Sequence, residues 1–248
     1  MRGTPMEEPL SMKRIALILI ALILPVALAA CDGLSSTSYN STSDDPPRDL
    51  SARVRSTTTI HLEWTAPLSG VTAGYNIYRS DEGGPFSEVD TFAIDNGIVN
   101  SPSYDDNGLS GNETHCYKVS SYNSALKESK KTPTACAATP GILTTSPLNG
   151  ATGVGFTNTN TVSVTFTDPF DTSTFTAGNL SLIVNYGGEI GNSVVGDLSF
   201  QTNSKAVFTP NASLLNSVKY KATVSSGVVF DDGSDYDDTY TWSFTTAP

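Results

Sequence analysis

Residues 60–64 read Ile60-His61-Leu62-Glu63-Trp64. Apolar and polar residues alternate, so on a strand Ile60, Leu62 and Trp64 share one face and His61 and Glu63 the other. The same period continues outward. Leu50, Ala52 and Val54 precede the run on one face, and Tyr75 with Ile77, then Tyr117 with Val119, follow it. Turn-forming clusters separate these segments at Pro67–Gly70, Asp81–Pro85, Asp95–Gly97 and Asp106–Gly111. Short alternating strands at this spacing predict a β-sandwich over residues 48–138.

The segments also carry a resemblance. Pro47, Trp64 at the end of the second strand, Gly74-Tyr75-Asn76-Ile77-Tyr78-Arg79 as the third, and the run from Leu109 through His115, Cys116, Tyr117 and Val119 to Tyr122-Asn123 as the sixth resemble a fibronectin type III domain. The domain expected from this covers residues 46–140. In that family a tyrosine stands six residues after the corner leucine and ties the corner to the backbone. Here the position holds His115, whose imidazole N–H would have to make the bond. The resemblance makes Thr134–Ala138 the last strand, with Cys136 opposite Cys116 across a hairpin centred near residue 126. A disulfide, a metal pair and a reactive thiol are the readings of the two cysteines. With only two histidines in the chain and no third thiol nearby, the disulfide is expected. Closing a 20-residue loop would contribute about 3 kcal/mol.

After Thr139-Pro140-Gly141 the pattern restarts. Ile142–Pro147, Val162–Phe166, Leu180–Val184, Leu198–Phe200, Ala206–Phe208, Tyr220–Val224 and Tyr240–Phe244 are seven strand candidates. The run Ser146-Pro147-Leu148-Asn149-Gly150, then Val162–Phe166, Asp168-Pro169-Phe170-Asp171, Phe208-Thr209-Pro210, Tyr220–Val224 and Thr241-Trp242-Ser243-Phe244 resemble the bacterial Ig-like domain of S-layer proteins and surface adhesins. The fold expected is therefore all-β, two tandem sandwiches, the second over residues 141–248. One stretch departs from that family. Asp231, Asp232, Asp235, Asp237 and Asp238 crowd five carboxylates into eight residues. Calcium takes six to eight oxygens from flexible loops, so a weak calcium site is one reading of this segment. A solvated acidic loop is the other.

The N-terminus sets the compartment. Lys13 and Arg14 precede an uncharged run, Ile15–Ala30, which ends in Leu28-Ala29-Ala30-Cys31. A charged start, an apolar core and a small-residue end make a secretory signal peptide over residues 1–30. Pro25 interrupts the run, which falls short of the roughly 20 residues that span a bilayer. Leu28–Cys31 resembles the bacterial lipobox, which implies that Cys31 is lipidated and is the membrane anchor. Met12 is a better start than Met1, because Glu7 and Glu8 do not suit a positive leader. Residues 31–45 are polar and read as a flexible tether, with a reach of roughly 20 Å.

Composition and motifs narrow the function. The net charge is −11, which argues against nucleic acid as a partner, since phosphate binding needs Lys and Arg. The sequence holds no metal-ligand pair of His or Cys at metal spacing, no phosphate loop and no nucleophile motif. Tyr78, Tyr122 and Tyr236 are read as exposed aromatics open to a sugar or peptide. The expected protein is a non-catalytic envelope lipoprotein, a spacer or adhesion module that binds protein or glycan. An accessory subunit of an envelope or glycan-degrading assembly is the first alternative, and a hydrolase with an unrecognised carboxylate site the second.

Overall fold

The computed structural model describes residues 45–69, 72–93, 102–155, 161–186 and 189–248. Cys31, the signal peptide and the tether up to Asp44 lie outside them. The described residues form strands and no helix. Both sandwiches belong to one compact unit.

The first sandwich contains β1 (Arg48–Ser56), β2 (Thr59–Thr65), β3 (Gly74–Asp81), β4 (Ser87–Ala93), β5 (Ser103–Asn107), β6 (Thr114–Tyr122) and β7 (Ala135–Ala138). Strands β1-β2-β5 form one sheet and β4-β3-β6-β7 the other. The alternation in β2 does what its period requires. Ile60, Leu62 and Trp64 point inward, at 0–2% exposure, and meet Tyr75 and Ile77 of β3 and Tyr117 and Val119 of β6. Trp64 and Tyr75 meet edge to face, with ring centroids 5.2 Å apart. β1 and β2 are joined by the tight turn Thr57-Thr58, and the Leu109 amide donates to the Thr58 carbonyl at 3.0 Å.

The second sandwich contains β8 (Ile142–Ser146), β9 (Val162–Phe166), β10 (Leu180–Tyr186), β11 (Glu189–Ser193), β12 (Gly196–Thr202), β13 (Lys205–Pro210), β14 (Lys219–Val224), β15 (Val228–Val229), β16 (Asp235–Tyr236) and β17 (Tyr240–Thr245). Its sheets run β12-β13-β9-β8 and β11-β10-β14-β17. All seven strand candidates of this half are strands. β11 was not expected, because Gly191, Asn192 and Ser193 carry neither apolar period nor β-branched side chains. The core is aromatic. Phe166 packs edge to face against Phe170, Phe175, Phe230 and Tyr236, with centroids 5.3–6.1 Å apart.

The first sheet continues past β1. β15 and β16 pair with each other, and Asp235 of β16 pairs in parallel with Ser56 of β1. The sheet thus runs β15-β16-β1-β2-β5, through strands of both sandwiches.

Candidate functional site

The acidic segment 231–238 forms part of this junction. Asp235 and Tyr236 are β16, and Tyr236 is 2% exposed in the second core, not a surface ring. Burial, with Asp238 nearby, pushes its phenol well above the usual range. The other carboxylates diverge. Asp232 Oδ1 accepts from the amide and hydroxyl of Ser234 at 2.9 and 2.6 Å, and Asp238 Oδ1 accepts from the Thr239 amide at 2.6 Å. Asp237 reaches the first sandwich, where its carboxylate accepts from Thr57 Oγ1 at 2.5 Å and from Thr58 Oγ1 at 2.7 Å. Burial raises the Asp237 carboxyl, but the hydroxyls of Thr57, Ser56 and Thr58 outweigh it and hold it below its ordinary value. The five residues read as possible calcium ligands are therefore not gathered around a point. Among the described residues no three His, Cys, Asp or Glu side chains form a metal-binding group.

A second cluster lies in the first sandwich. Asp106 of β5 is 4% exposed and accepts from Arg79 Nη1 at 2.9 Å and from the Tyr117 hydroxyl at 2.9 Å. Arg79 Nε lies 2.9 Å from Asp81, which also meets His115 Nδ1 at 2.6 Å. Burial opposes ionisation of Asp81, yet His115 and Arg79 win and hold its carboxyl below the ordinary value. An ionised carboxylate only accepts, so Nδ1 of His115 carries the proton. Burial first, and Asp106 second, push the Tyr117 phenol far up. This chain of opposite charges is internally compensated. Among the described residues His115 Nε2 is buried without a hydrogen-bond partner, so no described hydroxyl or thiol stands where the His115–Asp81 pair could activate it.

His115, at the position of the family's corner tyrosine, pairs with Asp81 of β3. The tie comes from Thr139, 2% exposed, whose hydroxyl donates to the Ser110 carbonyl at 2.7 Å. Nothing in the sequence marked Asp106, Arg79 or Thr139, since each becomes meaningful only once β5, β3 and the link lie together. Cys116 and Cys136 are register partners across β6 and β7 and are joined as a disulfide on the outer face of the sheet.

Tyr78 is not an exposed aromatic either. It is 7% exposed, with its hydroxyl donating to Glu128 at 2.6 Å and the Lys131 ammonium 3.2 Å over its ring. β3 pairs with β6 without a break, so Ile77 points into the core and Tyr78 to the opposite face, where Glu128 and Lys131 cover it. Tyr122 is half-buried. An open cleft of about 510 Å³ in the second sandwich is lined by Phe170, Asp171, Asn203, Phe230, Asp231 and Gly233. Its two phenylalanines are turned into the core, at 1–2% exposure, and offer no stacking face.

Comparison with known proteins gives two family matches. Residues 45–136 match the fibronectin type III domain and residues 137–246 the bacterial Ig-like domain. No curated protein matches the chain. Among solved structures, a two-domain fibronectin type III segment of chicken tenascin is 17% identical and covers 82% of this chain and 100% of that one, at a TM-score of 0.33. The N-terminal part of the bacterial S-layer protein SbsC is 21% identical over 43% of this chain and 23% of that one, at 0.33. A β-1,2-glucanase from Parabacteroides distasonis is 24% identical over 38% of this chain and 12% of that one, at 0.30. TM-scores this low leave the assignment to the family matches. The order of the matches is the order read from the strand motifs, and the chain is a fibronectin type III domain followed in tandem by a bacterial Ig-like domain.

Proposed function

We propose that this chain is a lipid-anchored protein of the bacterial cell envelope whose two sandwiches form a non-catalytic display or spacing module, with adhesion to envelope protein or glycan as its activity. The tandem of domains carries the reading. Both kinds are typically non-catalytic, and bacterial Ig-like domains are typically extracellular. No helix among the described residues is long and apolar enough to cross a membrane. Leu28-Ala29-Ala30-Cys31 supplies the attachment instead. Three acyl chains on Cys31 would hold the protein firmly, where a single chain binds only reversibly.

The test is made in the native host. The wild-type chain labels with a palmitate analogue and sediments with membranes, and Cys31→Ala does neither. Pull-down from envelope extracts recovers a protein or glycan partner. Labelling of the Cys31→Ala chain, or turnover of sugar or ester substrates by the purified protein, overturns the reading.

A further inference from the structure

The junction between the sandwiches is built from backbone and side chains of both. On one side is the turn Ser56-Thr57-Thr58, with Thr57 1% exposed. Its Thr57 amide donates to the Asp235 carbonyl at 2.9 Å, and its two threonine hydroxyls donate to Asp237. On the other side the link is pinned at both ends. The Asn112 amide donates to the Thr139 carbonyl at 3.0 Å, and Gly141 exchanges hydrogen bonds with Thr167, both at 2.9 Å. A Cβ on Gly141 would lie 2.7 Å from the Asn112 nitrogen and 2.9 Å from the Gly111 carbonyl carbon, so the link sits directly on the first sandwich's backbone. No Lys or Arg is among the partners of Asp237; hydroxyls and a backbone bridge do the holding.

We infer that the acidic segment is a metal-independent latch that makes the two sandwiches one mechanically coupled body, with Asp237 on Thr57 and Thr58 as its bolt. The inference does not depend on what the chain binds or where it is anchored. Each sandwich holds one of the chain's two tryptophans, Trp64 and Trp242, and both are buried. Trp242→Phe and Trp64→Phe versions of the full chain therefore report the first and second sandwich separately. In the first reporter, Asp237→Ala, a change in the second sandwich, lowers the unfolding temperature read by Trp64 by about 2–6 °C. In the second, Thr57→Val with Thr58→Val lowers that read by Trp242. Combining all three substitutions costs no more than Asp237→Ala alone, because they remove the same contact. Asp231→Asn, in the same acidic segment but outside this contact, leaves the other sandwich unmoved. The coupling persists in a chelator and does not grow with millimolar calcium. Substitutions that move only the tryptophan of their own sandwich, additive losses, or coupling that requires calcium would each overturn the latch.

Discussion

Eight buried apolar residues form the core of the first sandwich among the described residues, and nineteen form that of the second. The smaller core is reinforced by other means. It holds a charge chain through Asp81, Arg79 and Asp106, and a disulfide across β6 and β7. Among the described residues the larger core has no buried charged side chain, and its centre is a cluster of aromatic rings around Phe166. A β-sandwich of about a hundred residues buries a limited fraction of its surface, and apolar area and a covalent cross-link are alternative ways to reach marginal stability. The two domains use one each. Buried ion pairs bring little net stability but are costly to break singly. The first sandwich should therefore tolerate loss of a methyl group better than loss of one charge, and the second the reverse.

The largest effect expected is in the aromatic cluster. Phe166→Ala should destabilise the second sandwich by about 3–5 kcal/mol, read by Trp242 fluorescence in urea, while the first keeps most of its stability. Reduction of Cys116–Cys136 comes next, at about 3 kcal/mol. Trp64 should report the larger fall in unfolding midpoint and Trp242 a smaller one, passed on through the junction. Equal losses in both would erase the contrast. Thr139→Val should cost about 1–2 kcal/mol, the value of a buried hydrogen bond left with an unsatisfied carbonyl. A silent Thr139→Val would return the corner to its neighbours. The smallest effect is acid. The Asp237 carboxyl lies below its ordinary value of 3.8, so its contribution is full above that pH and is lost as pH falls through the lower folded value. Asp235, Asp238, Tyr236 and Tyr240 lie beside it, and the facing turn Ser56-Thr57-Thr58 carries no charge. Below about pH 4 the two tryptophans should begin to unfold separately. Asp237→Asn should remove that step while leaving the acid loss that comes from Asp81, whose carboxyl is lowered too.

Strands that bury one face were readable in the sequence. β2, β3 and β6 and the seven expected strands among the ten of the second half alternate because one side meets a core, and the opposed cysteines followed from the hairpin. What was hidden depends on neighbours far apart in the chain. β5 reads Ser103-Tyr104-Asp105-Asp106-Asn107, with the look of a turn, and becomes a strand with a buried Asp106 only because Arg79 and Tyr117 compensate its charge. Tyr78 alternates as if exposed, but the residues between β6 and β7 fold back and bring Glu128 and Lys131 onto it. Tyr236, flanked by aspartates, looks solvated, yet β16 turns its ring into the core while the Asp235 carbonyl and the Asp237 carboxylate reach the other sandwich. Charge counted along the chain says nothing about which side of a two-residue strand it leaves from.

The sheet that runs β15-β16-β1-β2-β5 has a bearing on tension. The chain enters the first sandwich at β1, and β1 is also the strand that β16 joins. A pull arriving from the chain's start loads β1 first. It is divided there between β2, which holds β1 at six paired positions, and the β16 bridge. The second sandwich thus takes part of the load directly at its neighbour's first strand, in parallel with the route through the link at Thr139–Gly141. Two beads on a string would carry force in series; these two share a beam.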